Sequence, residues 1–250
     1  MVKIEDVEVM GIRKAIKGMR NAMNSWEKRD SSLLFCHEII CALCPYESLD
    51  SIECDNKSHF IIGKKDMELA KRLIKAGSPD RKFLRMIHVQ ADVTAPLYLW
   101  KEFSTYKVGT TTNSCSTMHT LHKRDLTLDD FSHEHLSERS LEFMQNLIDE
   151  INRNRSLYVK GFKGVPGDNA CNVKPYDKAY WWQMIQLLPS SFNQMRTIDL
   201  NYETLFSIYH QRKNHKLDEW REFCKWIETL PYMKEFLGLD EQTETKEQKE

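Results

Sequence analysis

An α+β fold, mostly helical with a small sheet, is what the sequence predicts, and three observations predict it. Ile87, Val89, Ala91 and Val93 alternate with His88, Gln90, Asp92 and Thr94, the period of a half-buried strand. Apolar residues recur at helical spacing over Met67–Ile74, Leu141–Ile151 and Leu217–Leu230. No internal repeat and no linker divides the 250 residues, so a single domain over 1–239 is expected. The stretch 240–250 is charged with little apolar content and is expected to stay disordered.

Composition narrows the classes. With 41% hydrophobic and 29% charged residues the chain is globular, and a formal net charge of −1 argues against a general nucleic-acid partner. Met1–Gly11 lacks an apolar signal core and no apolar run reaches spanning length, so a cytoplasmic protein without a membrane partner is expected. The seven cysteines are an odd number, expected as reduced thiols. Cys41-Ala-Leu-Cys44 has metal-ligand spacing, with Cys36, His37 and Cys54 nearby, but Phe35, Ile39, Ile40 and Leu43 make that segment read as buried core. His133-Glu-His135 sits among polar residues that read as a solvated loop. No metal is predicted.

Taken in order, Val2, Ile4, Val7 and Val9 predict a first strand closed by Gly11, and Ile12 to Trp26 keeps a helical period with Arg13, Lys14, Lys17 and Arg20 on its other faces. Asn21, Asn24 and Ser25 cluster near the end of that helix. Asp66 is read as the cap of the next helix, which Gly77 and Pro79 end. Arg81, Lys82 and Arg85 form a small basic cluster before the strand at Ile87. Pro96 stops that strand and starts a helix over Leu97–Phe103. A polar stretch rich in Gly, Thr and Ser follows to His119, carrying Lys107, Asn113 and Ser116, and suits either a turn or a ligand site.

Ser137 caps a helix, Gly161–Pro175 is a long loop, and Asp177 opens a helix ending at Leu188-Pro189. Trp181 and Trp182 read as core or subunit interface. Asn201, Leu205, Ile208 and Arg212 are spaced four, three and four, which places an Asn and an Arg at the two ends of one apolar helical face. An arginine there is unfavourable unless it meets an anion or a carboxylate. Pro231 ends the last amphipathic helix.

Three segments together resemble the flavin-dependent thymidylate synthases (ThyX). A strand enters Ala95-Pro96, then a helix, then the polar stretch, where the family carries Arg-His-Arg followed by Ser, Asn and Ser. Leu188-Pro189, Asn201 and Arg212 are similar in order and spacing to the family's leucine–proline, asparagine and arginine. The segment from His215 to Arg221 resembles the family's helix start. The likeness implies a small, mostly antiparallel sheet with many helices and a homotetramer with flavin and dUMP at subunit interfaces. It implies reductive methylation of dUMP to dTMP, with methylenetetrahydrofolate supplying the carbon, FAD the hydride and NADPH the reduction of FAD.

Residue by residue, the resemblance makes Arg212 the catalytic group that polarises the pyrimidine. It gives Ser116, Asn113, Lys107 and Arg212 to the nucleotide substrate, and Asn201, Lys107, Tyr106 and Arg85 to the flavin. The sequence departs where the family has arginines: Thr105-Tyr106-Lys107 stands for Arg-His-Arg, and Met118, Ile185 and Glu203 stand for three more. Arg81, Lys82, Arg85, Arg196 and the basic first helix are the candidate replacements. Cys115 is open to two readings, a thiolate nucleophile or a small residue filling a tight loop. Two other functions stay open: a pyrimidine-nucleotide enzyme of the same fold with altered chemistry, and a non-catalytic homologue that binds a nucleotide or a protein.

Overall fold

A computed structural model describes residues 2–35, 58–164 and 172–240. The chain runs β1 (Lys3–Met10), α1 (Ile12–Gly18), β2 (Ser32–Phe35), β3 (Ser58–Ile61), α2 (Lys64–Ala76), β4 (His88–Pro96), α3 (Leu97–Phe103), β5 (Thr110–Ser114), α4 (Thr117–Thr120), α5 (Glu138–Lys160), α6 (Lys178–Leu187), β6 (Asn193–Asn201), α7 (Tyr202–Arg212), α8 (Asp218–Thr229) and α9 (Met233–Leu237). Four strands pair in the order β1-β4-β6-β5, and β2 pairs antiparallel with β3, Ser32 opposite Ile61. The α+β class with a small antiparallel sheet is the one the sequence predicts.

Two compact units divide the chain: Met1–Lys3, Thr94–Thr105 and Asn113–Arg196 make the first, and Ile4–Val93, Tyr106–Thr112 and Thr197–Glu250 the second. In the first, Leu121, Leu126, Phe131, Ile148, Ile151 and Met184 form the core, and Trp181 packs against it from α6. Ser137 accepts a hydrogen bond from the Ser140 N–H and Asp177 one from the Ala179 N–H, so both helices start where the sequence places their caps. In the second unit the inward side chains of β4, Val89, Ala91 and Val93, are buried, as are Tyr202, Leu205 and Ile208 of α7 and Trp220, Phe223 and Ile227 of α8.

Several local expectations need correction. The helix predicted over Ile12–Trp26 stops at Gly18 and gives way to single 3-10 turns at Asn21–Met23 and Trp26–Lys28. Asn24 takes φ 47°, and Met23 and Trp26 stand exposed, so their helical spacing packs against nothing in the core. Asp66 does not cap α2. That role falls to Asp30, whose carboxylate accepts from the N–H groups of Lys65 (2.8 Å) and Asp66 (3.0 Å). Burial opposes ionisation of Asp30, but these backbone donors outweigh it and hold its pKa below the ordinary carboxylate value. Part of the polar stretch after α3 is the edge strand β5, whose Thr-rich sequence suits extended backbone. A further short helix, α9, follows Pro231.

Asp240, first residue of the expected tail, pairs with Lys71 at 2.7 Å, and 241–250 lie outside the described residues. So do Cys36, Cys41, Cys44 and Cys54. No helix among the described residues is long and apolar enough to cross a membrane, and no cluster of potential metal ligands occurs among them.

Candidate functional site

Arg212 closes α7, where a cation also complements the helix C-terminus. Its guanidinium lies 4.9 Å from the Trp220 ring centroid and 5.7 Å from that of Tyr106, held between two aromatic faces. Its Nε donates to the Tyr106 hydroxyl at 2.9 Å, and that hydroxyl donates to Oε1 of Gln211 at 3.0 Å. The Tyr106 and Trp220 rings meet edge to face at 5.9 Å. One nitrogen of Arg212 is therefore fixed by the chain itself, and the planar fork is held in one orientation beside a half-buried surface. Tyr106, expected on the flavin, receives the arginine's Nε.

Replacing Tyr106 with phenylalanine keeps the ring and removes the hydroxyl that receives Nε. The expected outcome is a folded protein with three- to tenfold weaker binding of a uracil nucleotide, about one lost hydrogen bond to a charged group, partly screened by solvent. Titration calorimetry reads this directly, and an unchanged affinity would remove Tyr106 from the positioning role.

Asn201 stands at the other end of α7, about 16 Å from Arg212 for an eleven-residue helix. Its side-chain oxygen is used locally: Oδ1 caps α7 by accepting from the Thr204 N–H at 2.9 Å, and the residue is buried. Gly109 packs directly on it, with φ +68°, and a Cβ at Gly109 would fall 2.1 Å from Asn201 Nδ2. The Asn201 N–H donates to the Gly109 carbonyl at 3.2 Å, and the Thr204 hydroxyl donates to that of Val108 at 2.9 Å. Gly109→Ala meets both a left-handed backbone and this contact, and is expected to destabilise by about 2–3 kcal/mol. Urea unfolding checks it; a change below about 0.5 kcal/mol would show that the turn relaxes freely.

Of the basic cluster before β4, Arg81 is neutralised from within the chain. Arg81 Nε bonds both carboxylate oxygens of Glu203 at 3.1 and 3.0 Å, and its guanidinium stacks 4.7 Å from the Phe206 ring. Ser78 donates to the same carboxylate at 3.2 Å, and Arg85 Nη2 donates to the Ser78 hydroxyl oxygen at 2.9 Å. Glu203 thus neutralises Arg81. Lys107 is exposed and has no side-chain partner among the described residues.

In the first unit, Asn113 lies on β5 and Ser116 immediately precedes α4, both exposed. Gln194 anchors the turn by donating to the Cys115 carbonyl at 2.7 Å. A cleft of about 270 Å³ beside it is lined by Cys115, Thr117, Thr120, Arg124 and Asn193, and Asn193 Oδ1 is buried with no partner among the described residues. Arg124 bonds the Asp130 carboxylate, and Arg196 donates to Gln194 at 2.9 Å while lying 4.5 Å from the Trp100 ring. Burial lowers the pKa of Arg196. In the second unit burial pushes the Cys224 thiol up to about 12, with nearby Glu228 adding to it, so Cys224 is no nucleophile.

The fold can be placed among solved structures. Two crystal structures of the Helicobacter pylori flavin-dependent thymidylate synthase ThyX, each complexed with FAD and dUMP, superpose with TM-scores of 0.58 and 0.59. The chain has the ThyX fold. Sequence identity is 14% in both, over 94% and 95% of this chain and 97% of the other. No protein-family model matches the sequence, and no curated protein does.

Trp220 and Gln211, which complete the Arg212 cage, and Gly109, which admits Asn201, were not singled out from sequence. Trp220 reads there as one more apolar position of an amphipathic helix, and only the paired arginine gives it a second meaning.

Proposed function

We propose that the protein is a divergent flavin-dependent thymidylate synthase-like enzyme that binds dUMP or a related pyrimidine nucleotide. The observation that carries this reading is the aromatic-held Arg212 at the end of α7, in a fold shared with a protein crystallised with FAD and dUMP. A guanidinium held in a fixed plane is a directional donor of the kind that a uracil carbonyl accepts from. Such a donor withdraws electron density from the ring and stabilises negative charge as it develops there.

FAD, reduced by NADPH, would supply the hydride in this reading, and methylenetetrahydrofolate the carbon. The residues expected to hold FAD fit it incompletely. Asn201 and Tyr106 are engaged within the chain, Arg85 is partly engaged, and Lys107 is the cation of that set left without a partner among the described residues. About two negative charges of a pyrophosphate need more than one such cation at that place. Binding of the nucleotide phosphate by Asn113 and Ser116 is a separate proposal about the first unit. A cytoplasmic homotetramer completes the reading. The incomplete flavin set also favours a second one, altered chemistry on a pyrimidine nucleotide.

Absorbance near the flavin bands of purified protein, followed by titration of FAD with and without dUMP, tests the proposal. Flavin binding and tritium release from labelled dUMP are expected. Flavin binding without release would select altered chemistry, and dUMP binding without flavin would overturn the flavoenzyme reading.

A further inference from the structure

Three cations of the second unit line a pocket that includes neither Arg212 nor Lys107. Lys14 and Lys17 on α1 and Lys82 on the 3-10 segment Arg81–Met86 line one pocket of about 880 Å³. None of the three ammonium groups has a side-chain partner among the described residues. Leu73, Pro79, Phe83, Met19 and Met86 give the pocket an apolar wall. Asn21 and Asp80 complete its lining. Asn21 Oδ1 already accepts from Trp26 Nε1 at 2.8 Å, so its amide N–H groups are the part left for a ligand.

Three ammonium groups against one carboxylate leave a charge of +2 around an apolar hollow. Single positive side chains on a solvated helix face need no explanation, but lysines from two elements lining one largely apolar cavity suit an anion that carries an apolar body. Lysines act as point charges rather than planar forks, which suits a flexible diphosphate better than a carboxylate clamped edge-on. Ring systems pack on Met and Pro side chains, and the Asp80 carboxylate and Asn21 amide are an acceptor and a donor of the kind that sugar hydroxyls and base edges meet.

We propose that this pocket binds a nucleoside diphosphate group, free or as one half of a dinucleotide, with Lys14, Lys17 and Lys82 on the phosphates and the ring over Met86 and Pro79. The assignment does not depend on the role of Arg212. It names cations for a diphosphate where the Arg85, Tyr106 and Asn201 set is already engaged.

Calorimetric titration of the full chain with ADP, FAD, adenosine and inorganic pyrophosphate tests it. ADP is expected to bind, with affinity falling as salt rises and falling about five- to tenfold for each of Lys14→Ala, Lys17→Ala and Lys82→Ala. All three positions are exposed, so the variants are expected to fold. Tighter binding of FAD than of ADP would assign the site to a dinucleotide, and the reverse order to a free nucleotide. A second variant keeps every charge. Gly18 lies at the pocket wall, where a Cβ would be 3.7 Å from Met86 Sδ, and Gly18→Leu fills the hollow. A folded Gly18→Leu that binds ADP normally would overturn the proposal. So would adenosine or pyrophosphate binding as tightly as ADP, ADP affinity unmoved in the triple lysine variant, or no binding of ADP and FAD. Arg212→Ala is expected to leave ADP affinity unchanged and to weaken dUMP, so the two readings fail separately.

Discussion

Arg212→Ala is expected to weaken dUMP binding by about 100-fold, with the fold intact. The figure corresponds to roughly 2.7 kcal/mol, within the range for hydrogen bonds made by a charged donor. The side chain is half-buried between Tyr106 and Trp220 near the end of α7. Arg212→Lys sharpens the test. A lysine keeps the charge but has no Nε to reach the Tyr106 hydroxyl and no planar fork to present to a carbonyl. If orientation matters more than charge, the lysine variant loses most of the affinity that alanine loses. Deoxyuridine then separates base from phosphate. A guanidinium on the uracil predicts the same fold-loss for deoxyuridine as for dUMP, whereas a phosphate contact predicts a loss confined to dUMP. Unaltered dUMP affinity in Arg212→Ala would take α7 out of the site.

How much of this was legible in the sequence differs from element to element, for physical reasons. β4, α3 and the starts of α5 and α6 follow from alternation, Pro96, Ser137 and Asp177, because each signal acts on its own backbone neighbourhood. The spacing of Asn201 and Arg212 correctly marks the two ends of α7. It does not show that Asn201 Oδ1 caps the helix, since capping depends on where the strand gives way to the helix. Charge was the least legible property. Arg81, Lys82 and Arg85 form one cluster in sequence, yet Arg81 is bound by Glu203 more than a hundred residues later and Lys82 faces the pocket beneath α1. Which cations remain unpaired is settled by long-range partners, and a linear reading has no access to them.

Asp66 shows the same limitation in the interior, and it carries the largest expected effect on stability. Read as a helix cap, it would contribute about 1 kcal/mol. The structure instead buries it completely, with its carboxylate accepting from Arg20 Nε at 2.6 Å and from the N–H of Ser31 at 3.1 Å and its hydroxyl. Arg20 is itself only 6% exposed, and the Ser31 hydroxyl oxygen in turn accepts from the Gly63 N–H at 3.0 Å, just before α2. One carboxylate therefore ties the end of α1 to the segment before β2 and to the start of α2. Asp66→Ala leaves a buried guanidinium without its counter-charge, and the expected loss is about 3–5 kcal/mol, or a fall in Tm of roughly 10 °C for a chain of this size. Asp66→Asn keeps an acceptor for Ser31 but not the charge, and is expected to lose about half as much. The double variant Arg20→Met with Asp66→Leu removes both charges and is expected to recover most of the stability, because an apolar pair of similar volume leaves nothing unpaired. Urea and thermal unfolding of the four proteins decide the matter. If Asp66→Ala shifts stability by less than about 1 kcal/mol, the carboxylate is acting as an ordinary surface charge and the network does not hold these elements together.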